Sequence, residues 1–278
     1  MGIGRARAGG VIDRGKCNVL GVQIDALDYD AVVERVINAA RERRSLTVTA
    51  LAVHGVMTGV LDPVQRYRLN GLDIVTPDGM PVRWALDLVH GTRLPDRVAG
   101  PVLTLRVAEA AARAGVPIFL YGSRSTVLEA LARSLCERFP GLQVAGMAPS
   151  RFRRLTPDER DEVVAQIQAS KAGLVFVGLG CPRQEVWIYE YRQRLQMPLL
   201  AVGAAFDFHA GTVPRAPASL ERLGLEWVFR LMREPRRLWR RYLLLNPAYM
   251  WLLALQASRL RRFDPSDSTP PSSELLYG

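Results

Sequence analysis

Apolar residues recur along this chain with two periods, and the alternation between them sets the predicted fold. Val19–Ile24 reads as a short strand, and Ala31–Arg43 as a helix with Val32, Val33, Val36, Ile37 and Ala40 at helical spacing. Leu46–Leu51 is a β-rich run followed by a helical Val53–Leu61. Ile74–Val75 leads into the turn Thr76-Pro77-Asp78-Gly79, and Pro81–Leu88 and Val102–Ala114 read as helices. Pro117–Tyr121, Leu142–Gly146, Leu174–Gly178 and Leu199–Val202 then read as buried strands, separated by helical Thr126–Phe139, Asp158–Ala169 and Gln184–Leu195. Strands apolar on both faces, alternating with helices, predict an α/β fold with a Rossmann-like parallel sheet covered by helices on both sides. Ligands in such sheets bind at the carboxyl ends of the strands, which is where the glycine turns of this chain fall.

From Leu220 the pattern changes. Glu221–Phe263 is a basic helical segment, split where Pro235 starts a new helix, and 264–278 reads as a disordered tail rich in Pro, Ser and Asp. The predicted division is a basic extension over 1–16, an α/β catalytic body over 17–220, a helical appendage over 221–263 and the tail. With 49% apolar and 23% charged residues, the 278-residue chain is ordinary for a globular protein. The net charge of +10 is unevenly placed, because residues 221–262 hold ten Arg against three Glu. A near-neutral body with one basic segment argues against a body-wide nucleic-acid surface and for a local anion-binding or membrane-facing element. Three widely spaced cysteines (Cys17, Cys136, Cys181) fit a reducing compartment. No signal peptide is expected after Met1, and the apolar stretch Tyr242–Ser258, broken by Asn246 and Pro247, is too short to span about 30 Å of hydrocarbon.

Several segments carry candidate chemistry. Gly178-Leu-Gly180-Cys-Pro-Arg183-Gln184-Glu185 lies between a strand and a helix, as phosphate loops do, but Arg183 holds the third glycine position of the dinucleotide fingerprint. Gly122-Ser123-Arg124-Ser125 also lacks that triplet, so a nucleotide loop and a plain turn both stay open. Asp78 is either a turn former or a carboxylate at the ligand edge suited to be a general base. Asp28-Tyr29-Asp30 precedes a helix, so Asp30 reads as its N-cap and not as a metal ligand. His54, His90 and His209 show no zinc spacing. Ala204–Pro217, containing Asp207 and Arg215, shows little regular pattern and reads as a long loop at the ligand edge.

Six ordered motifs then carry a resemblance: Thr76-Pro-Asp-Gly-Met80, Arg97-Val-Ala-Gly100, Gly178 to Glu185, Phe206-Asp-Phe-His-Ala-Gly211, Arg215-Ala-Pro217 and Leu225-Glu-Trp-Val-Phe-Arg-Leu231. From about residue 17 to 245 the chain resembles the WecG/TagA/CpsF glycosyltransferases. The resemblance implies a GT-E-type fold and an inverting, metal-independent transferase with no cofactor. Its substrates would be a UDP-sugar donor and a polyprenyl-diphosphate-linked acceptor, met at the cytoplasmic face of a bacterial inner membrane. It implies that Asp78 falls on the family's proposed base, with Thr49 and Gln184 also in the active site. Gly122, Ser123, Gly180, Gln184, Glu185, Asp207 and Arg215 would line the donor nucleotide, while Arg230, Arg237 and Arg240 would come from the appendage. Two positions depart from the family pattern: Leu51 stands where Asn is usual, and Val102 where Asp is common.

Two rival readings are a nucleotide-dependent oxidoreductase, against which the missing glycine triplet speaks, and a nucleic-acid-binding protein using the Arg-rich segment, against which the near-neutral body speaks. An anionic membrane surface is the expected partner, and self-association stays open.

Overall fold

The computed structural model describes residues 11–213 and 226–278. Six parallel strands form one sheet: β3 (Leu46–Leu51), β4 (Ile74–Pro77), β5 (Ile118–Tyr121), β6 (Val144–Ala148), β7 (Leu174–Val177) and β8 (Pro198–Ala201), in the order β4-β3-β8-β7-β5-β6. Successive strand residues feed opposite cores. Val175, Val177, Leu199 and Ala201 pack on one side with α2 (Val53–Leu61), α3 (Pro63–Asn70), α4 (Met80–His90), α7 (Pro157–Ala169) and α8 (Arg183–Tyr191). Leu174, Phe176 and Leu200 pack on the other with α1 (Tyr29–Arg41), α5 (Gly100–Ala114), α6 (Ser125–Arg138) and α9 (Ala205–His209). The predicted doubly covered parallel sheet is therefore the observed fold.

The first strand differs from the expectation. Instead of one strand over Val19–Ile24 there is a hairpin, β1 (Asp13–Val19) and β2 (Val22–Leu27), with Val19 paired to Val22. Leu20 and Gly21 both take positive φ (56° and 87°), the pair of left-handed residues a two-residue hairpin turn requires. Leucine is an unusual choice there, so the turn leaves no mark in the apolar pattern. The hairpin covers the β4 edge of the sheet, where the Asp25 carboxylate accepts the Val75 N–H at 2.7 Å. Asp28, not Asp30, caps α1 by accepting the Ala31 N–H at 2.9 Å; Asp30 lies in the first turn and pairs with Arg106.

The basic segment forms the helices Glu226–Arg233 and Pro235–Trp239, a π-helical turn over Arg240–Leu245, and the helix Asn246–Ala257, with the expected break at Pro235. The last helix belongs to the main core: Tyr249 and Leu253 are buried in it, and Gln256 accepts the Leu20 N–H at 3.0 Å. No described helix is long and apolar enough to cross a membrane.

The segment 264–278 corrects the expectation of disorder. It runs as a strap from α3, past the end of α8, to the loop after β6, and is fixed at many points. Thr269 donates its N–H to Pro63, Arg66 reaches the Asp267 carbonyl at 2.7 Å, and Glu190 accepts the N–H groups of Leu275 and Leu276 at 2.7 and 3.0 Å. Arg160 pairs with Glu274, and Leu276 returns a carbonyl to Leu155. Composition tests whether a segment can fold alone; this one is ordered by groups the body presents to it.

Candidate active site

Five helices (α2, α4, α6, α8 and α9) each begin just beyond a strand, so their amino ends all meet the carboxyl edge of the sheet. Unpaired N–H groups and helix dipoles make such an edge favourable for anions. Three close approaches shape it. A Cβ on Gly178 would lie 2.5 Å from the Phe206 ring, so the β7 turn is held directly under α9. Gly122, at φ 104°, backs onto Gly178, with 3.0 Å from a would-be Cβ to the Gly178 carbonyl carbon. A Cβ on Gly100 would lie 3.1 Å from the Val202 carbonyl oxygen, bringing the start of α5 onto the end of β8. The glycines of three separate motifs are thus sites of backbone contact at one edge.

Asp78 follows β4 and donates its N–H to the Leu51 carbonyl at 3.2 Å, extending the β3–β4 ladder by one bond. It is half-buried, and its charge acts on the Tyr29 phenol. That phenol is pushed well up, first by burial and then by Asp78 and Asp96, while its oxygen accepts the Ala99 N–H at 2.8 Å.

On the neighbouring strand, Thr49 donates its hydroxyl to Glu185 Oε1 at 3.0 Å, and Gln184 Nε2 donates to the same oxygen at 2.9 Å. Gln184 Oε1 accepts the Gly180 N–H at 3.2 Å and lies 2.9 Å from where a Gly203 Cβ would stand. Thr49 and Glu185 have no exposed surface and Gln184 has 4%. Burial raises the Glu185 carboxyl above the usual carboxylate range, opposed by the bonds from Gln184 and Thr49 and by the Cys181 thiol. Glu185, expected among the donor-lining residues, therefore faces inward and reaches a ligand only through its neighbours. Thr49 is likewise inward; Asp78 and the edge of Gln184 are what this cluster offers to a ligand.

The remaining expected residues are spread around the same edge. Ser123, at φ 59°, is half-buried in the β5 turn. Asp207 lies on α9, where the sequence suggested only loop, and accepts the Thr212 hydroxyl at 3.3 Å. His209, on the same helix, contacts the Pro101 carbonyl at 2.8 Å and ties α9 to α5. Leu51 turns into the core against Gly55, whereas Val102 sits 38% exposed in the first turn of α5. Arg215 lies outside the described residues, as do the side chains of Arg230, Arg237 and Arg240. Among the described residues no group of three or more His, Cys, Asp or Glu could hold a metal ion. Open clefts of about 280 and 290 Å³ lie elsewhere, around Tyr189 and Arg192 beside the strap, and none of the residues above lines them. Chemistry, not cavity size, locates the site.

The sequence model of the WecG/TagA/CpsF glycosyl transferase family matches residues 17–263, most of the chain. The chain belongs to this family. It is therefore a glycosyltransferase, and the oxidoreductase and nucleic-acid readings fall away. It is similar to two proteins named N-acetylglucosaminyldiphosphoundecaprenol N-acetyl-beta-D-mannosaminyltransferase. One, from Bacillus spizizenii, is 35% identical over 63% of this chain and 66% of its own length, just under two thirds. The other, from Bacillus subtilis, is 30% identical over 71% of this chain and 74% of its own.

The family match spans the described helices up to Phe263, so the basic segment belongs to the shared architecture. Tyr29 is the group near Asp78 that sequence reasoning left out. Glu185 sits in a recognised motif and was expected to line the donor, but nothing in its spacing shows that its carboxyl is fully buried.

Proposed function

We propose that the enzyme transfers an N-acetylmannosaminyl or closely related hexosyl residue from a UDP-sugar to a polyprenyl-diphosphate-linked saccharide, with inversion and without a divalent metal. The observation that carries this reading is the half-buried Asp78 at the anion-favouring edge, one strand from the Gln184 amide, in a chain of this family. In the proposed step Asp78 takes the proton of the acceptor hydroxyl as its oxygen bonds to the anomeric carbon. The bond from that carbon to the UDP oxygen breaks on the opposite face, and UDP leaves with the electron pair. Helix amino ends and the guanidinium groups of Arg215, Arg230, Arg237 and Arg240 would absorb the charge on the diphosphate, a task to which planar guanidinium is suited. The names of the two Bacillus relatives support this donor sugar and a GlcNAc-diphosphate-lipid acceptor.

The lipid acceptor calls for a peripheral approach to a membrane, here the cytoplasmic face. Met232, Leu243, Leu244, Trp251 and Leu260 are 78%, 56%, 55%, 66% and 78% exposed, beside exposed Arg233, Arg236, Arg259, Arg261 and Arg262. Apolar and interfacial side chains mixed with arginine suit reversible binding to anionic lipid, at about 1 kcal/mol per basic residue.

The test is a transfer assay with a panel of UDP-sugars and a short-chain GlcNAc-diphosphate-polyprenol, with the product anomer read by NMR and EDTA added in parallel. A β-linked HexNAc product from an α-configured donor, formed equally in EDTA, is expected. Retention of configuration, or loss of activity on chelation restored by Mg²⁺, would overturn the corresponding part.

A further inference from the structure

We propose that Glu185 is a positioning residue that sets the polarity of the Gln184 amide, so that the active site offers an N–H at that point and selects an acceptor oxygen on the sugar nucleotide. The inference rests on the transferase reading for the identity of the ligand, but not for the geometry. An amide side chain has a donor end and an acceptor end of nearly equal size, and only its partners decide which end faces where. Here both ends are decided. The Gly180 N–H can only be met by the amide oxygen, and Glu185 Oε1 can only be met by the amide nitrogen. Gln184 is thereby left with one amide N–H that has no partner among the described residues, on the side chain that retains the cluster's exposed surface. Gly203 lies behind the amide, where a Cβ would stand 2.9 Å from the amide oxygen, so a glycine at that position leaves the space this arrangement occupies.

The carboxyl is held as firmly as the amide. Thr49 spends its one O–H on Oε1, and α8 is locked by Trp187, stacked between Tyr121 at 4.7 Å and Tyr191 at 4.0 Å. Oε2 is buried and has no N–H or O–H donor of good geometry, the Cys181 thiol being a weak one acting on this carboxyl. A buried oxygen so poorly supported is costly in an ionised carboxylate and tolerable in a protonated one, which agrees with the raised carboxyl. Either form keeps Oε1 as an acceptor, so the polarity of Gln184 is preserved across protonation.

The experiment uses the full chain with Gln side chains labelled with nitrogen-15, the Gln184 signal being assigned by its loss in Gln184→Ala. In the wild type the Gln184 amide proton bonded to Glu185 should exchange slowly with water and the unpartnered one faster; fast exchange of both would overturn the proposal without any variant at position 185. Glu185→Met keeps length and volume but lacks an acceptor, and should speed exchange of the slow proton. It should also lower kcat about 10²-fold, the scale of a misplaced contact, with KM for the UDP-sugar changed less than kcat. Glu185→Gln, which can still present an oxygen to both donors, should restore at least about tenfold of the lost kcat and the slow exchange. In a Gln184→Ala background, Glu185→Met should add less than about threefold, because it acts through the missing amide. Full additivity, or a Gln184 amide proton still protected in Glu185→Met, sinks the proposal. A wild type that transfers no sugar from any UDP-sugar sinks the functional reading instead, and the exchange measurement still decides the positioning role.

Discussion

Asp78 owes its place to a backbone bond that carries the β3–β4 ladder one residue past the strand, so its carboxyl emerges where the sheet stops. Replacing it by Asn keeps that bond and the side-chain shape and removes only proton acceptance. Transfer should fall about 10²–10⁴-fold, the range for loss of a general base. UDP binding, followed by calorimetry, should be largely kept, and near-wild-type turnover would return Asp78 to the role of turn former. The position of Asp78 was legible, because Pro77 and Gly79 bracket a turn that ends a strand. Glu185 was legible only as a member of a motif, and Thr49 only through the family resemblance. A strand's period shows that Thr49 alternates with its neighbours, but not that its hydroxyl meets a carboxyl 136 residues away. The N-cap of α1 shows the same limit: Asp28 and Asp30 have equal capping chemistry, and the Ile12 N–H that also reaches Asp28 is invisible in a local pattern.

Among the elements, the central strands and most helices followed from periodicity, because both faces of each strand must be apolar when helices cover the sheet. The hairpin escaped because Leu20 hides its turn, and the strap because its partners are distant in sequence. The contact between β7 and α9 gives one prediction at this scale. Gly178→Ala sets a methyl group against the Phe206 ring, and overpacking of this kind costs about 1–3 kcal/mol. The midpoint of urea denaturation should fall accordingly, and Gly178→Ala combined with Phe206→Leu should recover part of the loss. The strap gives another. Burial raises the Glu190 carboxyl, with its two backbone bonds and Arg68 opposing, so the folded protein holds that proton more tightly than the unfolded chain does. The associated stabilisation is full below the unfolded value of 4.5 and is lost as pH rises through the folded one. Wild type should therefore lose stability relative to Glu190→Gln as pH rises above about 4.5, measured by denaturation at a series of pH values. A difference independent of pH would contradict the assignment.

For the whole molecule, the basic segment is two things at once. Its first helices carry exposed apolar groups and arginines, while its last helix completes the core through Tyr249 and Leu253. Deleting 221–278 would therefore unfold part of the body, and point changes are the cleaner test of membrane attachment. Leu244→Asp with Trp251→Asp should weaken sedimentation with anionic vesicles at least about tenfold, since burial of each large apolar side chain is worth about 1.5–3 kcal/mol. Turnover of a water-soluble, short-chain acceptor should change much less. Equal binding of the double variant would place the membrane contact elsewhere.

The closure of the fold also has an order in time. Asn18 and Leu20, near the start of the chain, are held by Phe263 and Gln256, and Pro63 and Arg66 are held by Thr269 and Asp267. A ribosome delivers these partners last, after the sheet strands have all emerged, and contacts of such long sequence separation form slowly. Until they arrive, the hairpin and α3 present their apolar and polar backbone surfaces uncovered. A nascent chain stalled near residue 245 would hold a complete parallel sheet with an open flank, the kind of intermediate that chaperones and proteases recognise. The body is thus closed only once the helices of the basic segment and the strap beyond them have been made.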